Sequence, residues 1–291
     1  MSSAMAASIE LTASQVICDE ALPDLVPPGT RVYLPDIGSE DWSQTIAAAR
    51  RLTDLHLRPV PHVAARRCPS VAALDRRLGA LVHEAGVNDT LLIGGDAARP
   101  SGPFASTLDL LETGVVDRFG IREVGIAGHP EGSPVAGASV LDDAMTRKAM
   151  LLARTGAKLR IVTQFGFDAD GFAAWADRTS ATYPDIPIHM GIAGPARITT
   201  LLRYAAACGV GNSLSFLRKR AGSVTRLARG FDPDEIAIAL ERHAAARPVP
   251  SIEQLHVFAF GGLERTAHWL AQRGSWNASG VADTRRRQRV D

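Results

Sequence analysis

Leu159-Arg160-Ile161-Val162-Thr163-Gln164-Phe165 is a short, β-branched, mostly apolar run, and it is followed by an Ala-rich stretch with helical spacing. Thr90-Leu91-Leu92-Ile93-Gly94-Gly95 and Glu123-Val124-Gly125-Ile126-Ala127-Gly128 have the same character. Runs without polar alternation suit strands covered on both faces, as in a parallel sheet between helices. Outward from these three, the same reading predicts strands at 8–12, 30–34, 58–63, 90–94, 123–127, 159–165, 186–192 and 255–260. Amphipathic helices are expected between them at 41–55, 71–85, 141–155 and 169–180, with Ser70 and Asp168 as N-caps of the second and fourth. Eight strands alternating with helices over roughly 270 residues predict a (β/α)8 TIM barrel. An open nucleotide-binding sheet would carry GxGxxG after its first strand, and ASQVICDEALPDL stands there instead.

The repeat stretches before the last strand. About sixty residues, 194–251, hold helical patterns at 198–208, 213–220 and 232–246, so a helical insertion is expected. Such an insertion either covers the catalytic face or packs outside the barrel. The barrel is assigned to 1–273. Residues 274–291 read as a solvated, disordered tail, although their basic cluster is also compatible with an anionic contact.

Composition narrows the function classes. The 291 residues carry 32 Lys+Arg against 31 Asp+Glu, a net charge of +1, which argues against a dominant nucleic-acid surface. No run reaches the ~18 apolar residues of a membrane span, and MSSAMAASIE has no signal-peptide pattern. Three widely spaced cysteines, Cys18, Cys68 and Cys208, form neither a disulfide framework nor a thiolate metal site, and a reducing cytoplasm fits them. HExxH, GxSxG, Walker A and His/Asp metal-ligand spacings are absent, which leaves zinc proteases, serine hydrolases and P-loop enzymes without support, and no metal is expected.

In a barrel the strand C-termini face the active site. The polar residues at those ends are Glu10, His62, Asp96, His129, Glu131, Gln164 and Asp168, with Glu264 and Arg265 after the last strand. Converging carboxylates and an amide would make a metal-free acid/base site. Each has a plainer reading: Glu10 as a solvated strand end, Asp96 as a turn residue, His62 as a satisfied core histidine. Gln164 is harder to set aside, because a buried amide needs partners.

In chain order, SIE (8–10), PH (61–62), GD (95–96), AGHPEG (127–132) and VTQFGFD (162–168) resemble 5,10-methylenetetrahydrofolate reductase, over about 8–265. The resemblance implies a cytoplasmic (β/α)8 flavoprotein serving methionine biosynthesis. It would pass a hydride from NAD(P)H through FAD to 5,10-methylenetetrahydrofolate, giving 5-methyltetrahydrofolate. It also implies a folate substrate and no nucleic-acid or membrane partner. By position, Glu10 corresponds to the general acid at folate N10 and Asp96 to the catalytic aspartate that contacts pterin and influences the flavin. Gln164 and Arg265 correspond to substrate-binding residues. His62, Gly95, Asp96, Phe104, Ala105, Ser106 and His129 correspond to cofactor-binding positions.

The chain departs from the family pattern mostly on the flavin side. Gly94 stands for an arginine, His129 for a tyrosine, Ser133 for a histidine, Leu152 for a diphosphate-binding lysine and Gly261 for an aromatic; VYLPDI has no recognisable counterpart. Arg147 and Lys148 lie earlier on the helix of Leu152, where either could substitute. Two alternatives follow: a flavin-independent folate one-carbon enzyme, by direct hydride transfer or in a demethylation pathway, and a non-catalytic folate-binding barrel.

Overall fold

A computed structural model describes residues 4–38, 41–132, 137–208, 210, 215, 230–247 and 251–276. The strands are β1 (Ala7–Glu10), β2 (Arg31–Leu34), β3 (Arg58–Ala64), β4 (Asp89–Ile93), β5 (Glu123–Gly128), β6 (Lys158–Thr163), β7 (Ile188–Ala193) and β8 (Ile252–Phe258). All pairings are parallel, and β8 returns to β1, so the sheet closes as a (β/α)8 barrel. The helices, in chain order, are α1 (Ala13–Cys18), α2 (Leu22–Leu25), α3 (Trp42–Asp54), α4 (Val71–Ala85), α5 (Thr107–Glu112), α6 (Val115–Arg118), α7 (Ala138–Ala153), α8 (Ala169–Thr182), α9 (Ile198–Ala207), α10 (Asp234–Ala245) and α11 (Leu263–Arg273).

Local chemistry explains the starts and stops. Ser70 accepts from the Ala73 amide to start α4, and left-handed Gly86 ends it. Asp168 accepts from the Gly171 amide at 3.0 Å to start α8. Both are helix ends whose orphan donors or acceptors are met locally. The first strand is shorter than its apolar pattern because Thr12 becomes the N-cap of α1, in a capping box with Gln15. The last strand begins earlier than its apolar run, because inward-facing parity brings polar Gln254 into the ladder opposite His189.

The main core lies between the sheet and the helices and is aliphatic. Inside the barrel a smaller apolar cluster, Tyr33, Val60, Leu91 and Val162, fills the middle. Beneath it the strand N-termini carry a charge network. Arg31 bonds Asp89 at 3.3 Å, Glu123 at 2.8 Å and Gln254 at 3.2 Å, and Arg58 reaches Glu123 at 2.6 Å. Arg160 donates to Asp89 at 2.6 Å and to the Tyr33 hydroxyl at 2.9 Å. Layered inward side chains make this a packed interior rather than a pore.

Two described helices, α9 and α10, stand between β7 and β8, where the regular repeat has one. The expected helix at 213–220 apart from residue 215, Ser133 and the tail 277–291 lie outside the described residues. Among the described residues no helix is long and apolar enough to cross a membrane.

Candidate active site

The C-terminal mouth of the barrel gathers a different set of groups. Glu10 closes β1 with its side chain 14% exposed. Its Oε2 lies 3.5 Å from His62 Nε2 on β3 and 3.4 Å from His256 Nε2 on β8. These three atoms are buried, and none has a hydrogen-bond partner. The Tyr33 ring packs below them, 4.3 Å from the His256 ring and 6.0 Å from that of His62, centroid to centroid.

Burial dominates the electrostatics. It pushes the Glu10 carboxyl up, against the field of His62, which pulls it down. It also lowers His62 to about 4 and His256 to about 3, with Arg160 adding to both effects. At neutral pH the imidazoles are therefore uncharged, and the carboxyl is held towards its acid form. Among the described residues, no group of three or more His, Cys, Asp or Glu side chains is arranged to hold a metal ion.

The other sequence-predicted residues occupy varied positions. Gln164 follows β6 half-buried, and its Oε1 accepts from the Phe165 amide at 3.0 Å. Asp96 follows β4 in the exposed loop, 76% exposed and paired with Arg67 at 2.6 Å. Gly95 has φ +86, which suits glycine at this turn, and its backbone stands against Ala64. Arg265 is exposed on the first turn of α11, where it lines an outer cleft of about 500 Å³ with Phe231, His268 and Trp269. Glu10 is not part of that cleft. A larger cleft, about 840 Å³, opens between the chain start, α8 and α10, and also lacks Glu10.

Near β4 and β5 the polar groups are committed. Phe104 is 3% exposed, inside the core. The Ala105 and Ser106 amides both donate to Asp109 Oδ2 at 2.7 Å, which caps α5. Arg66 is spent on the carbonyls of Ala97 and Ala98, and Arg147 on Glu112. Leu152 is wholly buried. Lys148, one turn earlier on the same face of α7, is half-buried beside His129. Burial lowers Lys148, while burial and then Lys148 lower His129.

An aromatic wall borders the mouth on the β6–β8 side. Phe165 meets Phe258 at 5.4 Å and Phe260 at 4.8 Å, and Tyr204 of α9 stacks on Phe260 at 4.2 Å. Cys208, just after α9, is pushed up to about 11, first by desolvation and then by the acidic groups of Glu10 and Asp96. The insertion thus begins by packing at the catalytic face. At Gly261 a Cβ would collide with the Pro195 carbonyl oxygen.

His256 and Ser8 were missed as candidates in the sequence. Their signal was inward parity: Gln254, His256 and Phe258 alternate along β8, and His256 pairs in register with Ser8, two residues before Glu10.

Comparison with known proteins gives a consistent picture. An uncharacterized protein from Clostridium thermocellum that binds two copies of 5-methyl-5,6,7,8-tetrahydrofolic acid superposes with a TM-score of 0.58 at 12% identity, over 94% of this chain and 95% of that one. Dihydropteroate synthase from Thermus thermophilus in complex with 6HMPPP gives 0.50 at 11% identity, over 95% and 94%. At such identities these likenesses establish the barrel and nothing finer. The methylenetetrahydrofolate reductase family model, in contrast, matches residues 31–216, from β2 past α9. With that match spanning more than half of the sequence, the chain belongs to the methylenetetrahydrofolate reductase family.

Proposed function

We propose that this chain reduces 5,10-methylenetetrahydrofolate to 5-methyltetrahydrofolate, with NAD(P)H as a co-substrate and without a resident flavin. The observation that carries the reading is Glu10, a buried carboxyl at the barrel mouth, flanked by two neutral imidazoles. Opening the five-membered ring of the substrate requires a proton on N10. Glu10 gives that proton: its O–H bond breaks, N10–H forms, and the N10–methylene bond opens to an N5 iminium. A hydride from NAD(P)H then completes the methyl group. A carboxyl whose affinity for its proton is raised by desolvation is suited to this duty.

Gln164 presents a half-buried amide just after β6, suited to the hydrogen-bonding edge of a pterin. Phe260, partly exposed and backed by the buried rings of Phe165 and Phe258, offers flat apolar surface to a ring. Lys148 is a half-buried cation available to an anionic part of a ligand. Arg265 and Asp96 contribute on this reading only if the ligand reaches beyond the Glu10 cluster. That a folate belongs here is also supported by what the Clostridium thermocellum protein binds.

The residues do not fit a flavin diphosphate. The Ala105 and Ser106 amides that could meet it already hold the Asp109 carboxylate, an anion in the same place. Phe104 is in the core, Leu152 carries no charge, and Arg67 is bonded to Asp96. Flavin-mediated transfer, the usual family chemistry, therefore has membership alone in its favour.

The test is NAD(P)H oxidation dependent on 5,10-methylenetetrahydrofolate, by protein whose absorbance spectrum is free of flavin bands. Turnover without flavin is the expected result. Turnover that appears only after FAD is added would restore the flavoenzyme reading. Folate binding with no turnover under either condition would leave a non-catalytic barrel.

A further inference from the structure

The Glu10 cluster continues one residue deeper than the acid itself. Ser8 Oγ lies 3.4 Å from the Leu255 carbonyl and 3.1 Å from His256 Nδ1, and both Ser8 and His256 are at most 1% exposed. A hydroxyl has one hydrogen to donate. Given to the carbonyl, which can only accept, that hydrogen leaves Ser8 Oγ to accept from His256 Nδ1–H. A neutral imidazole protonated at Nδ1 has a bare lone pair at Nε2. That lone pair faces Glu10 Oε2 at 3.4 Å.

Two lone pairs facing each other in a buried site repel, and a proton on the carboxyl removes the conflict. We infer that Ser8 and His256 are positioning residues: Ser8 holds His256 in its Nδ1–H tautomer, and His256 thereby holds Glu10 as the neutral acid. The inference deepens the proposed function and rests on it for its use in catalysis.

The other groups around the carboxyl agree with this arrangement. His62 on β3 is the second neighbour of the same oxygen, at 3.5 Å; as an Nε2–H tautomer it can donate to an oxygen whose own hydrogen points to His256. Arg160 on β6 is committed to Tyr33 and Asp89 below, and its field helps to keep both histidines uncharged. The Tyr33 hydroxyl on β2 accepts from Arg160 Nε, and its ring faces His256. Cys208 past α9 lies within electrostatic reach as a neutral thiol. No cation is bonded to Glu10 among the described residues.

The experiment measures the acid without substrate. In the ligand-free protein, the infrared carbonyl band of a protonated carboxyl that Glu10→Gln removes is followed against pH. It is measured in wild type, Ser8→Ala and His256→Gln, each paired with its own Glu10→Gln double variant. The expected result is a Glu10 band present at pH 7 in wild type. Its midpoint should fall by about one pH unit or more, a tenfold change in acid strength, in both variants. Ser8→Ala frees His256 to turn its Nε2–H towards the carboxylate, and in His256→Gln the new side-chain amide supplies a donor there. Ser8→Thr, which keeps the hydroxyl, should restore the wild-type midpoint.

A midpoint unmoved in both Ser8→Ala and His256→Gln, or a wild-type Glu10 already ionised at pH 7, overturns the inference. Should one variant fail to fold, the other decides alone. The two readings fail separately: shifted midpoints without folate turnover leave this device standing, whereas Glu10-dependent turnover with unmoved midpoints removes it and spares the proposed function.

Discussion

The two ends of the barrel treat buried charge in opposite ways. At the strand N-termini, Asp89 and Arg160 are almost sealed from water and are paired: Arg160 donates to Asp89 at 2.6 Å and to the Tyr33 hydroxyl at 2.9 Å, and Asp89 also meets Arg31 at 3.3 Å. At the strand C-termini, the facing atoms of Glu10, His62 and His256 are also enclosed, yet they make no hydrogen bond. Buried charges are normally paired, and an unpaired one is costly. The lower end therefore spends its polar groups on holding eight strands in register. The upper end keeps groups whose protonation is still open to change, which is what an acid catalyst requires.

Substitutions that move each end towards the other's behaviour test this contrast. The largest effect is expected from Glu10→Gln, which should lower folate reduction on the order of 10²–10⁴-fold while leaving the thermal midpoint equal or higher. A steady-state assay paired with a melting curve checks both halves, and a parallel loss of fold would remove the acid role. Next comes Arg160→Leu, which leaves buried Asp89 only its longer contacts to Arg31 and Arg58, at 3.3 and 3.8 Å. It should cost on the order of 3 kcal/mol of stability by denaturant titration, and replacing Asp89 by Leu as well should recover part of that loss.

A third effect is pH dependence. His62 and His256 have folded values of about 4 and about 3, below their ordinary 6.5. The unfolded chain binds more protons in that window, so stability is full above about pH 6.5 and is lost as pH falls towards 4. Glu10 acts in the other direction: its raised folded value favours the protonated native state, and its contribution is lost as pH rises above the unfolded value of 4.5. His62→Asn should flatten the acid limb, and Glu10→Gln should flatten the opposing slope, both readable from melting curves across pH. The smallest effect is at the α5 cap. Asp109→Ala should cost about 1 kcal/mol, or about 2–4 °C for a domain of this size, with folate turnover unchanged.

Much of this was legible in the sequence. Ile161, Val162, Ile126 and Leu92 mark strands because a parallel strand covered on both faces has no polar face to show. Ser70 and Asp168 mark helix starts because capping is a contact between residues three apart. Glu10 was legible by its place at the end of the first strand. Asp109 was not read as a competitor for the Ala105 and Ser106 amides, although it lies only three or four residues away, since residue types alone do not reveal which acceptor wins a donor. His62 was named from its strand, but not its meeting with Glu10, and the neighbourhood of His256 is hidden by chain separation: His256 lies 248 positions from Ser8.

The sequence by itself determined the barrel, its order of strands and helices, and a carboxyl on the first strand. These follow from periodicity and from contacts between neighbours along the chain. Only the tertiary structure decided that this carboxyl meets two neutral imidazoles rather than water, and that the amides near β4 are already taken. Closing the sheet brings β8 against β1 and excludes solvent from between them. Burial and hydrogen-bond competition then set the protonation of groups that no local pattern connects.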